Sequence, residues 1–128
     1  MKKILIIGGG AMGSAFTFPC IDNKNEVIIT EPYNKTFIKN LSSKKKYHSS
    51  LKINLPNKLK YKKYSTHLLK NKFDLVVVAL SLSGINFISK EFKKSSIKSP
   101  ILILTKGLKY EKKKTENFHY LRRYKENK

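Results

Sequence analysis

Residues 2–13 read KKILIIGGGAMG, and the fold is decided in this stretch. Ile4, Leu5, Ile6 and Ile7 form a continuous apolar run, the pattern of a strand covered on both faces. It leads directly into Gly8, Gly10 and Gly13, the spacing G-x-G-x-x-G. In a strand, turn and helix, each of these glycines has its own task. Gly8 permits the tight turn, Gly10 lets a pyrophosphate approach the backbone, and Gly13 lets helix and strand pack closely. The helix that follows presents free N–H groups and the positive end of its dipole to that phosphate. The stretch therefore predicts a dinucleotide site built from Gly8, Gly9, Gly10, Ala11, Met12 and Gly13.

Outward from this corner, strand and helix signals alternate. Lys2–Ile7 reads as a strand and Ala11–Cys20 as a helix shortened or kinked by Pro19. Asp22–Asn25 is a polar turn, and Glu26–Thr30 (EVIIT) a second buried strand. Tyr33–Leu41 reads as a helix, with Tyr33, Phe37, Ile38 and Leu41 on one face. After Lys44, Lys45 and Lys46 the chain is expected to be irregular through Pro56, then to form a strand over Leu59–Tyr64 and a short helix over Ser65–Lys70. Phe73–Leu80 (FDLVVVAL) is the clearest strand, followed by a turn at Ser81–Gly84, a helix over Ile85–Phe92 and a strand over Pro100–Thr105. Such alternation predicts an α/β fold, a Rossmann-type doubly wound parallel sheet in a single domain over residues 1–108.

In open parallel sheets, ligands gather at the carboxyl ends of the strands. Glu31 ends the second strand, 18 residues beyond Gly13, where an acid accepts hydrogen bonds from the adenosine ribose. Its charge would repel a 2′-phosphate and so favours NAD over NADP. The Ser81–Gly84 loop and Lys106 lie at two further strand ends. The Lys106 ammonium is placed to hold an anionic substrate or polarise a carbonyl.

At 128 residues the chain has room for one modest core. The single Cys20 excludes an internal disulfide and fits a reducing, cytoplasmic setting. No run approaches the length of a membrane helix. The formal charge of +20 would attract any phosphate, but the cations are lysines scattered over the chain, with Arg122 and Arg123 the only guanidinium groups. Base recognition leans on arginine, so the first hundred residues do not point to nucleic acid.

Several segments together carry a family likeness: IIGGGAMGSAF, DNKNEVIIT, HSSLKINLP (His48–Pro56), DLVVVALSLSG and PILILTKGL (Pro100–Leu108). In order and spacing the sequence resembles the N-terminal domain of NAD-dependent glycerol-3-phosphate dehydrogenases, from Met1 to Leu108. The TKGL strand end and the His48 to Pro56 segment are more particular than the glycine loop and favour this family over the ketopantoate reductases. The resemblance implies hydride transfer between dihydroxyacetone phosphate and sn-glycerol 3-phosphate, a reaction of glycerol-phosphate and phospholipid metabolism. It also implies that Gly8–Gly13 bind the pyrophosphate of NAD(H). Ser81 and Ser83 would lie beside the adenosine-side ribose or phosphates, and Lys106 near cofactor and substrate. His48 and Pro56 fall in a segment of structural role, and His67 and His119 match nothing. Ser49 stands where the family has a proline, Lys52 where it has a glycine, and SLSG lacks the family's proline and glutamine.

The resemblance further implies a second, helical domain that supplies the catalytic lysine and the grip on the substrate. Residues 109–128 do not resemble it and read as a basic tail, expected to be the remnant of a truncated enzyme. On this expectation the chain alone binds cofactor with little or no turnover. The alternatives are a nucleotide-binding or sensing module without catalysis, and a basic protein that binds nucleic acid through Arg122, Arg123 and the tail lysines.

Overall fold

The computed structural model describes residues 1–107. Strand β1 (Lys3–Ile7) leads through helix α1 (Ala11–Asp22) to β2 (Glu26–Thr30). Helix α2 (Lys35–Leu41), a hairpin of β3 (Tyr47–His48) and β4 (Ile53–Asn54), the short β5 (Lys60–Tyr61) and helix α3 (Thr66–Leu69) follow. Strand β6 (Leu75–Val78), helix α4 (Leu82–Ser95) and strand β7 (Ile101–Ile103) complete the order. In space the main sheet runs β5, β2, β1, β6, β7, with every pair parallel. The chain winds from β1 towards one edge and then returns to build the other half. A topological switch point therefore lies at the carboxyl end of β1, where such sheets bind ligands.

The apolar run Ile4–Ile7 is continuous because both sheet faces are covered. Ile4 and Ile6 join Val27, Ile29 and Val77 beneath Cys20, Phe37 and Leu41, which come from α1 and α2. Leu5 and Ile7 join Ile28, Val76 and Val78 beneath Leu68, Leu69, Ile88 and Phe92 of α3 and α4. Leu5, Ile6 and Ile7 are wholly excluded from solvent, and each such side chain stabilises the fold by about 1.5–3 kcal/mol. The Rossmann-type expectation is met.

Several local expectations are corrected. Pro19 neither shortens nor ends α1, which continues to Asp22. The ring removes one helical donor, the N–H that would meet the Ala15 carbonyl, and the helix continues past it: the Pro19 carbonyl accepts the backbone N–H of Asn23 at 3.1 Å and its side-chain amide at 2.7 Å. The second helix starts at Lys35 rather than Tyr33, because the Asn34 side chain accepts the Phe37 N–H at 3.0 Å and caps it there. Tyr33 thus leaves the predicted helical face and packs edge-on against Phe87 of α4, ring centroids 5.5 Å apart. The stretch expected to be irregular contains the β3–β4 hairpin. Ser81–Gly84 is not a free turn: Ser81 is the N-cap, and the helix begins at Leu82 with the Gly84 N–H on the Ser81 carbonyl at 2.9 Å. Ser81 and Ser83 therefore stand on the opening turn of α4. The predicted tail, with His119, lies outside the described residues.

Candidate dinucleotide site

The glycines of the first turn divide into two groups. Gly8 adopts φ +114°, and a Cβ there would collide with the Ala79 carbonyl. A Cβ on Gly13 would strike the Gly8 carbonyl, and one on Gly9 would enter the Phe37 ring. These three positions are closed by the protein itself. At Gly10 the opposite holds: a Cβ would meet nothing within 4 Å. Gly10, Ala11 and Met12 are exposed, while Gly8, Gly9 and Gly13 are buried. Helix α1 begins at this open point with no side-chain cap and no acid in its first turn. Its unpaired N–H groups and positive dipole end face the open space, an arrangement that fits a pyrophosphate.

Glu31 is buried, and its carboxylate faces the loop. Oε1 accepts the Gly9 N–H at 2.9 Å, and Oε2 accepts the N–H groups of Tyr33 and Asn34 at 2.6 and 2.9 Å. The carboxylate thereby joins the end of β2 to the glycine turn and to the entry of α2. Its field is felt nearby: burial first, and then the Glu31 charge, raise the Tyr33 and Tyr61 phenols above their ordinary value. The adenosine-ribose contact expected from the sequence would be additional to these three bonds.

The other strand ends converge on the same edge. Thr105 Oγ1 donates to the Leu80 carbonyl at 2.8 Å, tying the end of β7 to the end of β6. Gly107, at φ +110°, brings the chain against Leu82 on the first turn of α4. Ser81 and Ser83 are exposed, with their hydroxyls 2.9 Å apart, and α4 also lacks a side-chain cap and an acid in its first turn. Lys106, between Thr105 and Gly107, is exposed. The edge thus carries two uncapped helix N-termini, whose positive dipole ends suit a diphosphate.

Over residues 3–123 the chain matches the family described as NAD-dependent glycerol-3-phosphate dehydrogenase N-terminus. It belongs to that family. The match runs past Leu108, where the likeness read from the sequence stops. No curated protein sequence matches the chain. Among solved structures, glycerol-3-phosphate dehydrogenase from Coxiella burnetii is similar at a TM-score of 0.68 and 18% identity, covering 84% of this chain and 33% of its own. D-mandelate dehydrogenase with NADH gives 0.57 at 20% identity, covering 84% and 31%. A 2-dehydropantoate 2-reductase from Methylococcus capsulatus gives 0.56 at 16%, covering 86% and 35%. The chain thus spans about a third of the length of each, and the likeness at these identities is one of fold.

In this member of the dehydrogenase family the residue that sequence reasoning passed over is His48. It is buried on the β3–β4 hairpin, its Nε2 lies 2.8 Å from the Gly9 carbonyl, and its ring meets Phe37 edge-on at 5.6 Å. A lone histidine between Tyr47 and Ser49 gave no sign of a contact 39 residues away. His67 is exposed, and the Cys20 thiol is buried, which pushes its pKa up and makes it a poor nucleophile. A second polar cluster lies outside the site. Glu91 of α4 accepts hydrogen bonds from Thr66 at 2.5 Å and Tyr64 at 3.1 Å, and pairs with Lys94 at 3.4 Å. These bonds, that from Thr66 foremost, hold the Glu91 carboxyl below its usual range, and burial raises the Tyr64 phenol. The cluster joins α4 to α3 and the segment before it, and it takes no part in the site.

Proposed function

We propose that this chain binds NAD(H) at the turn after β1 and forms the nucleotide half of a glycerol-3-phosphate dehydrogenase site. The observation that carries the reading is the open space over Gly10 at the uncapped start of α1, in a chain that belongs to the family. When bound, NADH would supply the hydride that reduces dihydroxyacetone phosphate to sn-glycerol 3-phosphate, and NAD+ would accept it in the reverse direction. In this reading the N–H groups of Gly10, Ala11 and Met12 hold the pyrophosphate, Ser81 and Ser83 add hydroxyl contacts, and Lys106 balances anionic charge or polarises the substrate carbonyl. The Glu31 charge at the end of β2 supports NAD over NADP. The protein's part is to position and orient, and to set the electrostatics of the crevice.

Titration of the 128-residue chain with NADH and with NADPH, followed by fluorescence, tests the proposal. Saturable NADH binding that is tighter than NADPH binding and lost in Gly10→Val is expected. No binding of either cofactor by the folded chain overturns it. Addition of dihydroxyacetone phosphate to the NADH-loaded chain then reads turnover directly.

A further inference from the structure

We infer that His48 is a positioning residue of the dinucleotide site: its ring aims the Gly10 N–H at the phosphate. The inference rests on the cofactor reading above, and goes beyond it by giving a buried side chain of the hairpin a role in binding.

The protonation pattern of the ring follows from its two partners. Nδ1 lies 3.2 Å from the Leu51 backbone N–H, which can only donate, so Nδ1 is the accepting nitrogen. In the neutral ring the proton then sits on Nε2, and Nε2–H donates to the Gly9 carbonyl at 2.8 Å. The same carbonyl accepts from Ser14 Oγ at 3.0 Å. The Gly9 N–H, on the preceding peptide, is held by Glu31. Both peptides flanking Gly9 are thus anchored, one by the end of β2 and the other by the hairpin and α1.

A peptide is planar and trans, so its C=O and N–H point in opposite directions. When His48 and Ser14 draw the Gly9 carbonyl inward, the N–H of the same peptide, which belongs to Gly10, is turned outward. Gly10 is exposed with open space over its α-carbon, and among the described residues its N–H meets no acceptor. Without the ring donor this peptide would be held by the Ser14 hydroxyl alone, and the glycines on both sides offer little steric resistance to its turning. The phosphate would then have to order the turn as it bound. Phe37 supports the arrangement from the side, its ring against His48 and over the Gly9 α-carbon.

His48→Met and His48→Gln test the inference on the 128-residue chain. They are close in size, but only glutamine offers an N–H to the Gly9 carbonyl. NADH dissociation constants are measured where circular dichroism shows each variant folded. The expected result is a constant raised about tenfold in His48→Met, the worth of one well-aligned hydrogen bond, and raised no more than about threefold in His48→Gln. Nitrogen NMR of the unsubstituted chain adds a readout that needs no variant. The ring should carry its proton on Nε2, and that resonance should move on NADH addition with the dissociation constant seen by fluorescence.

A folded His48→Met chain that binds NADH like the unsubstituted one overturns the inference. So does a ring protonated on Nδ1, or a ring signal that NADH leaves in place. If His48→Met does not fold, the NMR result decides. Failure of the unsubstituted chain to bind NADH at all overturns the cofactor reading itself, which separates the two failures.

Discussion

The Glu31 carboxylate and the Gly9 N–H, 22 residues apart in sequence, meet at 2.9 Å and hold the glycine turn to the end of β2. With Tyr33 and Asn34 the carboxylate receives three backbone donors. In Glu31→Gln an amide NH₂ must face at least one of them, losing a charge-assisted bond and leaving a donor unpaired. The expected cost is about 2 kcal/mol of folding stability, measured by urea denaturation, together with weaker NADH binding. A contact with the ribose alone would leave the unfolding midpoint unchanged.

Gly10 and Gly13 should separate binding from folding. Gly10→Ala places a methyl group in open space, so the unfolding midpoint should hardly move while NADH affinity falls by about tenfold or more. Gly13→Ala drives a methyl group against the Gly8 carbonyl and should destabilise the fold by about 1–3 kcal/mol. Paired thermal unfolding and NADH titration check both, and a reversed pattern would refute the division of the loop.

Lys106 is exposed, so Lys106→Met should change stability by no more than about 0.5 kcal/mol. If its ammonium faces the bound anion, NADH affinity should drop severalfold at low salt and depend less on salt than in the unsubstituted chain. Titrations at two ionic strengths measure this. An unchanged salt dependence would remove Lys106 from the site.

Glu91 predicts an acid-side loss of stability. Its folded-state pKa lies below the unfolded value of about 4.3, so its stabilising effect is complete above that value and is lost as pH falls through the folded one. Glu91→Gln should lower the unfolding midpoint at pH ~6, and the difference should shrink towards pH ~3. The raised Tyr64 phenol acts in the opposite sense: its contribution is complete below the unfolded value of about 10 and is lost as pH rises through the folded one. Thermal melts across pH on both chains give the check.

Much of this was legible along the chain. Strands β1, β2 and β6 were readable because burial on both faces leaves an unbroken apolar run, and the glycine spacing marked the turn. Helix starts were not. The Asn34 cap moved the start of α2 past Tyr33, and α4 opens at Leu82, within the expected turn, with no side-chain cap to mark it. At Pro19 the expected early end did not occur: the ring removes a single helical donor, and the Asn23 N–H still closes the last turn on the Pro19 carbonyl. The two-residue strands of the β3–β4 hairpin are too short for any period to show.

Local pattern alone determined the doubly wound sheet, the place of the turn and which strand ends meet, since these follow from periodicity and from the steric needs of glycine. Only the folded structure decided how the turn is held. Glu31 reaches back to Gly9, His48 reaches across from the hairpin, and Phe37 closes the space over the Gly9 α-carbon. The physical reason is the directionality of hydrogen bonds. Hydrophobic burial is non-directional and leaves its mark on neighbouring residues, whereas a bond between Gly9 and a side chain 39 residues away depends on the angle at which two distant segments meet.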